Sequence, residues 1–284
     1  MAYRIITDSC CDFTKRQYMD RNVTYAPLSL HLGDETHPSF TEPEELHGFY
    51  DAVRGGAMPT TSAVNPEGWM EIMKPILDAG EDVLCLAFSS ALSATCQSAM
   101  MAANELRLEY PDRKILVIDT LCAALGQGLL VDYACKKRDA GASLEEVAAW
   151  VEENKGSMAH WVTVDDLNHL KRGGRVSATT AFVGGLLGIK PIIHVDDNGK
   201  LDTVAKVRGR KAAMEYLVDK VRTTAKDLDT VFIAHGDCQA DAEKLADMLK
   251  AIGVKEVTIG YVGGVVGAHT GPGVLVVFFL ATER

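Results

Sequence analysis

No apolar run in this chain is long enough to cross a membrane, and its start, MAYRIITDS, lacks a charged segment followed by an apolar one. The expectation is a cytoplasmic protein whose contact with a membrane surface is at most transient. Positive charge is also short: 29 Lys and Arg stand against 39 Asp and Glu, a net charge of -10. Such a balance argues against a nucleic-acid-binding face over most of the molecule. The seven cysteines are odd in number and include no C-x-x-C pair. Cys85, Cys122 and Cys135 sit in apolar surroundings, where a free cysteine behaves as a small hydrophobe, and Cys10-Cys11 has no obvious partner. All seven read as reduced thiols rather than a disulfide framework or a metal cage.

Familiar catalytic and cofactor signatures are missing too. There is no G-x-S-x-G elbow, and neither Ser90 nor Ser93 has the flanking glycines that a strained nucleophile turn needs. No G-x-x-x-x-G-K-[ST] loop occurs, and Gly126-Gln127-Gly128 lacks the third glycine of a dinucleotide fingerprint and lies in a helical stretch. The histidines show no short metal-ligand spacing. His235-Gly236-Asp237, at a strand end, has the look of a base with its orienting acid, but a histidine there is more often a structural hydrogen-bonding residue. No repeat, low-complexity segment or disordered tail stands out, and no cofactor or metal is implied.

What the chain does contain is an alternation of strands and helices. Tyr3–Thr7 reads as a strand ending in Asp8-Ser9, followed by a helix from Asp12 to about Arg21 and a strand around Val23–Leu32. Thr41-Glu42-Pro43-Glu44 has the spacing of a capping box, and Pro59-Thr60-Thr61-Ser62 reads as a polar loop. Asn65-Pro66 opens a helix towards Leu77. The apolar runs Val83–Phe88 and Ile115–Ile118 read as central parallel strands, leading into helices over about Leu92–Glu109 and from near Leu121. Ser143-Leu144-Glu145-Glu146 is a second capping box. This is the pattern of an open α/β sheet, whose ligands bind beyond the strands' carboxyl ends. A boundary at Gly156-Ser157 divides the chain into α/β domains over 1–156 and 157–284. The first carries a mainly parallel, Rossmann-like sheet. The second reads as a mixed sheet: a strand at His160–Val164, a helix near Asp166–Leu170, and strands Ile189–Val195 and Leu201–Val207 around the turn Asp196-Asp197-Asn198-Gly199. A helix at Arg210–Thr224, strand Thr230–His235, helix Ala240–Ile252 and strand Glu256–Gly260 complete it.

The stretch Gly260–Phe279, GYVGGVVGAHTGPGVLVVFF, organises the rest. A glycine-rich half precedes a buried strand, and His269-Thr270 sits in a Gly-Pro-Gly turn that requires neither side chain for its geometry. Ser89-Ser90-Ala91-Leu92-Ser93 follows a strand; serines there serve as helix caps, and the amides of the helix start also favour an anion. Thr61 and Ser62 offer further hydroxyls, or belong to an ordinary polar loop. Lys171, Arg172 and Arg175 around Gly173-Gly174 form the sharpest basic cluster, with Arg208, Arg210 and Lys211 a second. For Lys171 and Lys211 solvated surface charge is the preferred reading.

GAHTGPG, together with LKRGGR at 170–175, SSALS at 89–93 and Thr7-Asp8-Ser9, resembles the DegV family of bacterial fatty-acid-binding proteins over the whole length. The resemblance implies the family's EDD fold, with two α/β domains burying a fatty acid between them. By motif position the lipid carboxylate falls to Thr61, Ser93, His269 and Thr270, with Ser62 and Ser90 weaker candidates. Departures are the replacement of the usual Thr-Ser-Gln-Pro by Thr61-Ser62-Ala63-Val64, and Ala91, Ala94 and Cys96 where the serine motif has two glycines and a tyrosine. The resemblance further implies a protein without catalysis of its own. It presents the acid to a separate ATP-dependent fatty-acid kinase, for acyl-phosphate formation and phospholipid synthesis. Arg172, Arg175 and Arg208 are expected to face that kinase or its phosphate, since a guanidinium recognises phosphate as a planar fork. Arg175→Ala is then expected to leave lipid binding intact, and the carboxylate to be met by neutral donors alone. Each buried methylene contributes about 0.8 kcal/mol, so a long chain supplies on the order of 10 kcal/mol before ordering costs. Two rivals stand beside this reading: a hydrolase or acyltransferase using Ser90 or Ser93 with His269 as base, and a binder of another small anionic metabolite.

Overall fold

A computed structural model describes residues 2–176 and 188–283. In chain order its elements are β1 (Tyr3–Asp8), α1 (Lys15–Asp20), β2 (Val23–Ala26), β3 (Ser29–Leu32), β4 (Glu35–Pro38), α2 (Pro43–Arg54), β5 (Thr60–Ser62), α3 (Pro66–Asp78), β6 (Asp82–Ala87), α4 (Thr95–Glu109), β7 (Ile115–Asp119), α5 (Ala124–Asp139) and α6 (Leu144–Asn154). They continue with β8 (Met158–Thr163), α7 (Asn168–Arg172), β9 (Ile189–Val195), β10 (Leu201–Arg208), α8 (Arg210–Thr224), β11 (Thr230–His235), α9 (Gln239–Ala251), β12 (Glu256–Tyr261), α10 (Gly264–Thr270) and β13 (Leu275–Leu280). The expected α/β class is present: a parallel sheet in the order β2-β1-β6-β7 and a mixed sheet in the order β10-β9-β8-β13-β11-β12. A small antiparallel sheet, β4-β3-β5, is added to these.

Local chemistry moves several boundaries from where the sequence pattern put them. Asp12 takes a left-handed φ of 57°, so no helix passes through it, and α1 starts only after the capping box of Thr14 and Gln17. Pro27 interrupts the expected strand Val23–Leu32, which splits into β2 and β3 in different sheets. The capping box of α2 uses Glu42 and Glu45 rather than Thr41 and Glu44. Thr60–Ser62 is strand β5, paired with β3, rather than a loop. α4 begins at Thr95, three residues later than read, leaving the serines in an irregular connection. Leu121 and Ala124 have φ of 54° and 53°, which delays α5 to Ala124. Finally, His269 and Thr270 end a short helix instead of standing in a turn.

From Ala124 to Cys135 α5 is mostly apolar and buried between the two larger sheets, and its last turn, Lys136–Asp139, reaches solvent. Two glycines permit that fit. A Cβ on Gly126 would lie 2.2 Å from His160 Nε2, and one on Gly128 2.8 Å from the Cys11 carbonyl oxygen. The Gly126-Gln127-Gly128 pair therefore serves packing. Gln127 reaches back to β1, donating to Thr7 Oγ1 at 2.8 Å. Outside the mixed sheet, α8 and α9 cover Trp161, Leu275 and Val277. On its inner face β8, β9 and β13 present every second residue: His160 and Val162, Ile193 and Val195, Val276 and Phe278.

Candidate functional site

Those alternating residues form one wall of a cavity of about 290 Å³. The opposite wall comes from the carboxyl ends of the parallel strands: Leu28 beyond β2, Phe88 and Leu92 beyond β6, and Ala123 beyond β7. This is where an open parallel sheet leaves room for a ligand, as its switch-point topology predicts. Val195 and Leu201, flanking the β9–β10 turn, also line the cavity, and the turn is tied across by the Ser89 hydroxyl donating to the Gly199 carbonyl at 2.9 Å.

Polar groups gather at one end. Thr61 from β5, Ser93 ahead of α4, Arg175 beyond α7, and His269 and Thr270 from the end of α10 all line the cavity. Thr61, Arg175 and His269 are shared with an adjoining basin of about 360 Å³, bordered by Met58, His169 and Arg172. The fold thus brings together four of the hydroxyl and imidazole residues named from sequence: Thr61, Ser93, His269 and Thr270. Ser62 and Ser90 lie outside the lining. The Ser62 hydroxyl bonds His31 Nε2 at 2.7 Å, and the Ser90 amide donates to Asp119 at 3.1 Å.

Arg175 corrects the expectation of neutral donors alone. It is half-buried, donates through Nε and Nη2 to the Leu92 carbonyl at 3.2 and 3.1 Å, and through Nη1 to the Gly173 carbonyl. A cation therefore stands in the cavity wall and clamps the loop that carries Ser93. Burial lowers its pKa from the ordinary value, as expected for a desolvated cation. Arg172 is exposed and bonds His169 Nδ1 at 2.9 Å on the basin's rim. Arg208 is exposed on edge strand β10 and borders neither cavity. In the second basic cluster Arg210 is engaged with Asp241 at 2.8 Å, and Lys211 lies on the surface.

Burial, and then the charge of Arg175, push the pKa of His269 down to about 4, so the ring is neutral near pH 7. Its Nε2 lies 2.8 Å from Thr61 Oγ1. Its Nδ1 faces the Gly173 Cα so closely that a Cβ there would be 2.2 Å away. A C–H pointed at that nitrogen leaves room for a lone pair but not for a proton. The proton is therefore assigned to Nε2, where it is donated to Thr61 and leaves the threonine's own proton for the cavity. Thr270 is different, since its hydroxyl donates to the Val266 carbonyl at 3.2 Å. His269 and Thr270 also lie at the carboxyl, partially negative end of α10, which a nearby guanidinium offsets.

Ser93 and His269 are each bonded to a threonine, Ser93 to Thr95 and His269 to Thr61. His235 accepts from the Cys238 amide, and Asp237 turns away to His47 and Arg54, so this pair is not a base with its acid. Among the described residues no disulfide joins the seven cysteines; six are buried, and Cys238, partly buried, has its pKa raised to about 11, chiefly by desolvation. Sequence reasoning gave Arg175 a phosphate-facing role and read the β9–β10 turn as a hairpin, but did not foresee the place of Arg175, Gly173 or that turn beside the cavity. The nearest available signal was the position of Arg175 just beyond Gly173-Gly174, where a turn can aim a long side chain inward.

Comparison with known proteins agrees with this geometry. The family model described as "Uncharacterised protein, DegV family" matches residues 2–282. A DegV domain-containing protein of Clostridium perfringens is 44% identical over 284 residues, covering 99% of this chain and 98% of its own. The structure of a fatty-acid-binding DegV family protein from Thermus thermophilus aligns over 100% of both chains with a TM-score of 0.88 and 30% identity. That of DegV, a fatty acid binding protein from Bacillus subtilis, aligns over 98% of each chain with a TM-score of 0.82 and 29% identity. On a match running from one end of the described chain to the other, in sequence and in fold, this protein belongs to the DegV family.

Proposed function

We propose that this protein binds a long-chain fatty acid, its tail in the apolar cavity and its carboxylate at the Thr61–Ser93–Arg175–His269 end. The observation that carries the reading is the polarity of the cavity: walls from both sheets that are mostly apolar, His160 apart, with Thr61, Arg175 and His269 together where the cavity meets the polar basin. A buried carboxylate needs such partners, since an unpaired buried charge costs several kcal/mol. The fatty acid binding of the Thermus thermophilus and Bacillus subtilis relatives supports the same class of ligand. Native mass spectrometry of freshly purified protein, followed by extraction, tests it. A long-chain acid at about one per chain is expected; a nucleotide in its place, or repeated failure to load oleate, would overturn it.

Beyond binding, the protein acts as a non-catalytic subunit that presents the carboxylate to a separate ATP-dependent kinase through the polar basin. The support is the basin's position, sharing Thr61, Arg175 and His269 with the cavity and bordered by Arg172. Arg172→Ala is expected to slow acyl-phosphate formation by a cognate kinase while oleate affinity stays unchanged. Equal turnover with variant and parent would remove Arg172 from this role.

A further inference from the structure

Thr95 is fully buried, yet it is tied to Ser93, a hydroxyl of the cavity lining. Its Oγ1 accepts from the Val64 amide at 3.4 Å and lies 2.9 Å from Ser93 Oγ. Its own amide donates to Ser93 Oγ at 3.3 Å. A buried hydroxyl left without an acceptor is costly, and Ser93 Oγ is the acceptor within reach of this one. The Thr95 proton therefore goes to Ser93, whose oxygen then receives two donors from one residue. Ser93 lines the cavity, and with its oxygen so occupied its own proton is available to a group bound there.

Resting on the fatty-acid reading, we propose that Thr95 is a positioning residue that locks Ser93 as a hydrogen-bond donor, and so makes the site prefer a carboxylate to an uncharged alcohol head. An ionised carboxylate only accepts, and gains most from a fixed donor. An alcohol both gives and takes, and gains little from the lock.

The test measures oleate and oleyl alcohol affinities in parent, Thr95→Val, Thr95→Ser, Ser93→Ala and the Ser93→Ala/Thr95→Val double variant. Thr95→Val should weaken oleate about five- to tenfold and leave oleyl alcohol within about twofold, while Thr95→Ser restores the parent's preference. In the Ser93→Ala background Thr95→Val should have no further effect, because its action runs through Ser93. Should Thr95→Val not fold, Thr95→Cys, whose thiol is a poor donor, should show the same selective loss. Equal loss for acid and alcohol, an additive loss in the double variant, or no loss at all would overturn the proposal while leaving the lipid reading intact. A parent that takes up no oleate would overturn both.

Discussion

His269 and Asp8 are shifted in opposite directions by the same burial. The imidazole is held neutral with a pKa of about 4, while the carboxyl of Asp8 is raised to about 6, chiefly by desolvation. For His269 the folded value lies below the unfolded one, so the unfolded chain binds more protons, and stability falls as pH drops from about 6.5 towards 4. For Asp8 the folded value lies above the unfolded one. Its contribution is full below 3.8 and is lost as pH rises through about 6. The two slopes oppose each other over nearly one window. Asp8→Asn, compared with the parent by urea unfolding across that range, should therefore show a steeper loss of stability on acidification. Arg175 yields a second expectation, the reverse of the one its basic neighbours suggested. Arg175→Ala should weaken oleate roughly ten- to a hundredfold in a displacement assay, because it removes a cation from the wall and frees the Ser93 loop. Arg175→Lys should fall between, keeping the charge but losing the fork. The hydroxyls and the histidine were legible in the sequence because of their motifs. Arg175 was named from its motif too, but for a phosphate-facing role; its place in the cavity wall was not legible, because a basic residue in an acidic chain looks the same whether its turn faces solvent or cavity.

At the scale of elements, the end of α10 decides where His269 stands. Gly271 has a φ of 74°, and a Cβ there would lie 2.4 Å from the His169 ring. Gly271→Ala should displace His169, cost stability by more than the roughly 1 kcal/mol of an ordinary helix-terminus change, and loosen oleate through His269. Circular-dichroism melting and the same displacement assay read the two effects separately. Here the sequence pattern was informative in a partial way. Glycines at 271 and 273 announced a backbone that ordinary residues resist, and both do take positive φ. What they did not announce was a helix of seven residues immediately before them, because short helices are made by packing rather than propensity. The long elements with strong patterns fared best: β11 at Thr230–His235, α8 at Arg210–Thr224 and α6 behind its Ser143 cap were read to within a residue or two. Boundaries failed where one residue adopted an unusual φ, as at Asp12, Leu121 and Ala124.

On the scale of the whole molecule, the cavity is a void between two sheets, and filling it should stabilise the fold. Free oleate at a hundred times its dissociation constant should add about 2.7 kcal/mol, visible as a rise in melting temperature of delipidated protein. A fatty acid that leaves the melting temperature unmoved would count against occupancy of this cavity. The order of strands adds a matter of timing. β13 comes after every other strand in the chain, yet it sits in the middle of the mixed sheet, where Val276 pairs with Val162 on one side and Ala234 on the other. During synthesis the halves β10-β9-β8 and β11-β12 have no common edge until β13 emerges, and His269 precedes it by only a few residues. The parallel sheet is free to form on the ribosome, but the pocket is completed only once β13 is in place. A stalled chain ending before Val274 should accordingly expose the unpaired edges of β8 and β11 and engage chaperones rather than lipid.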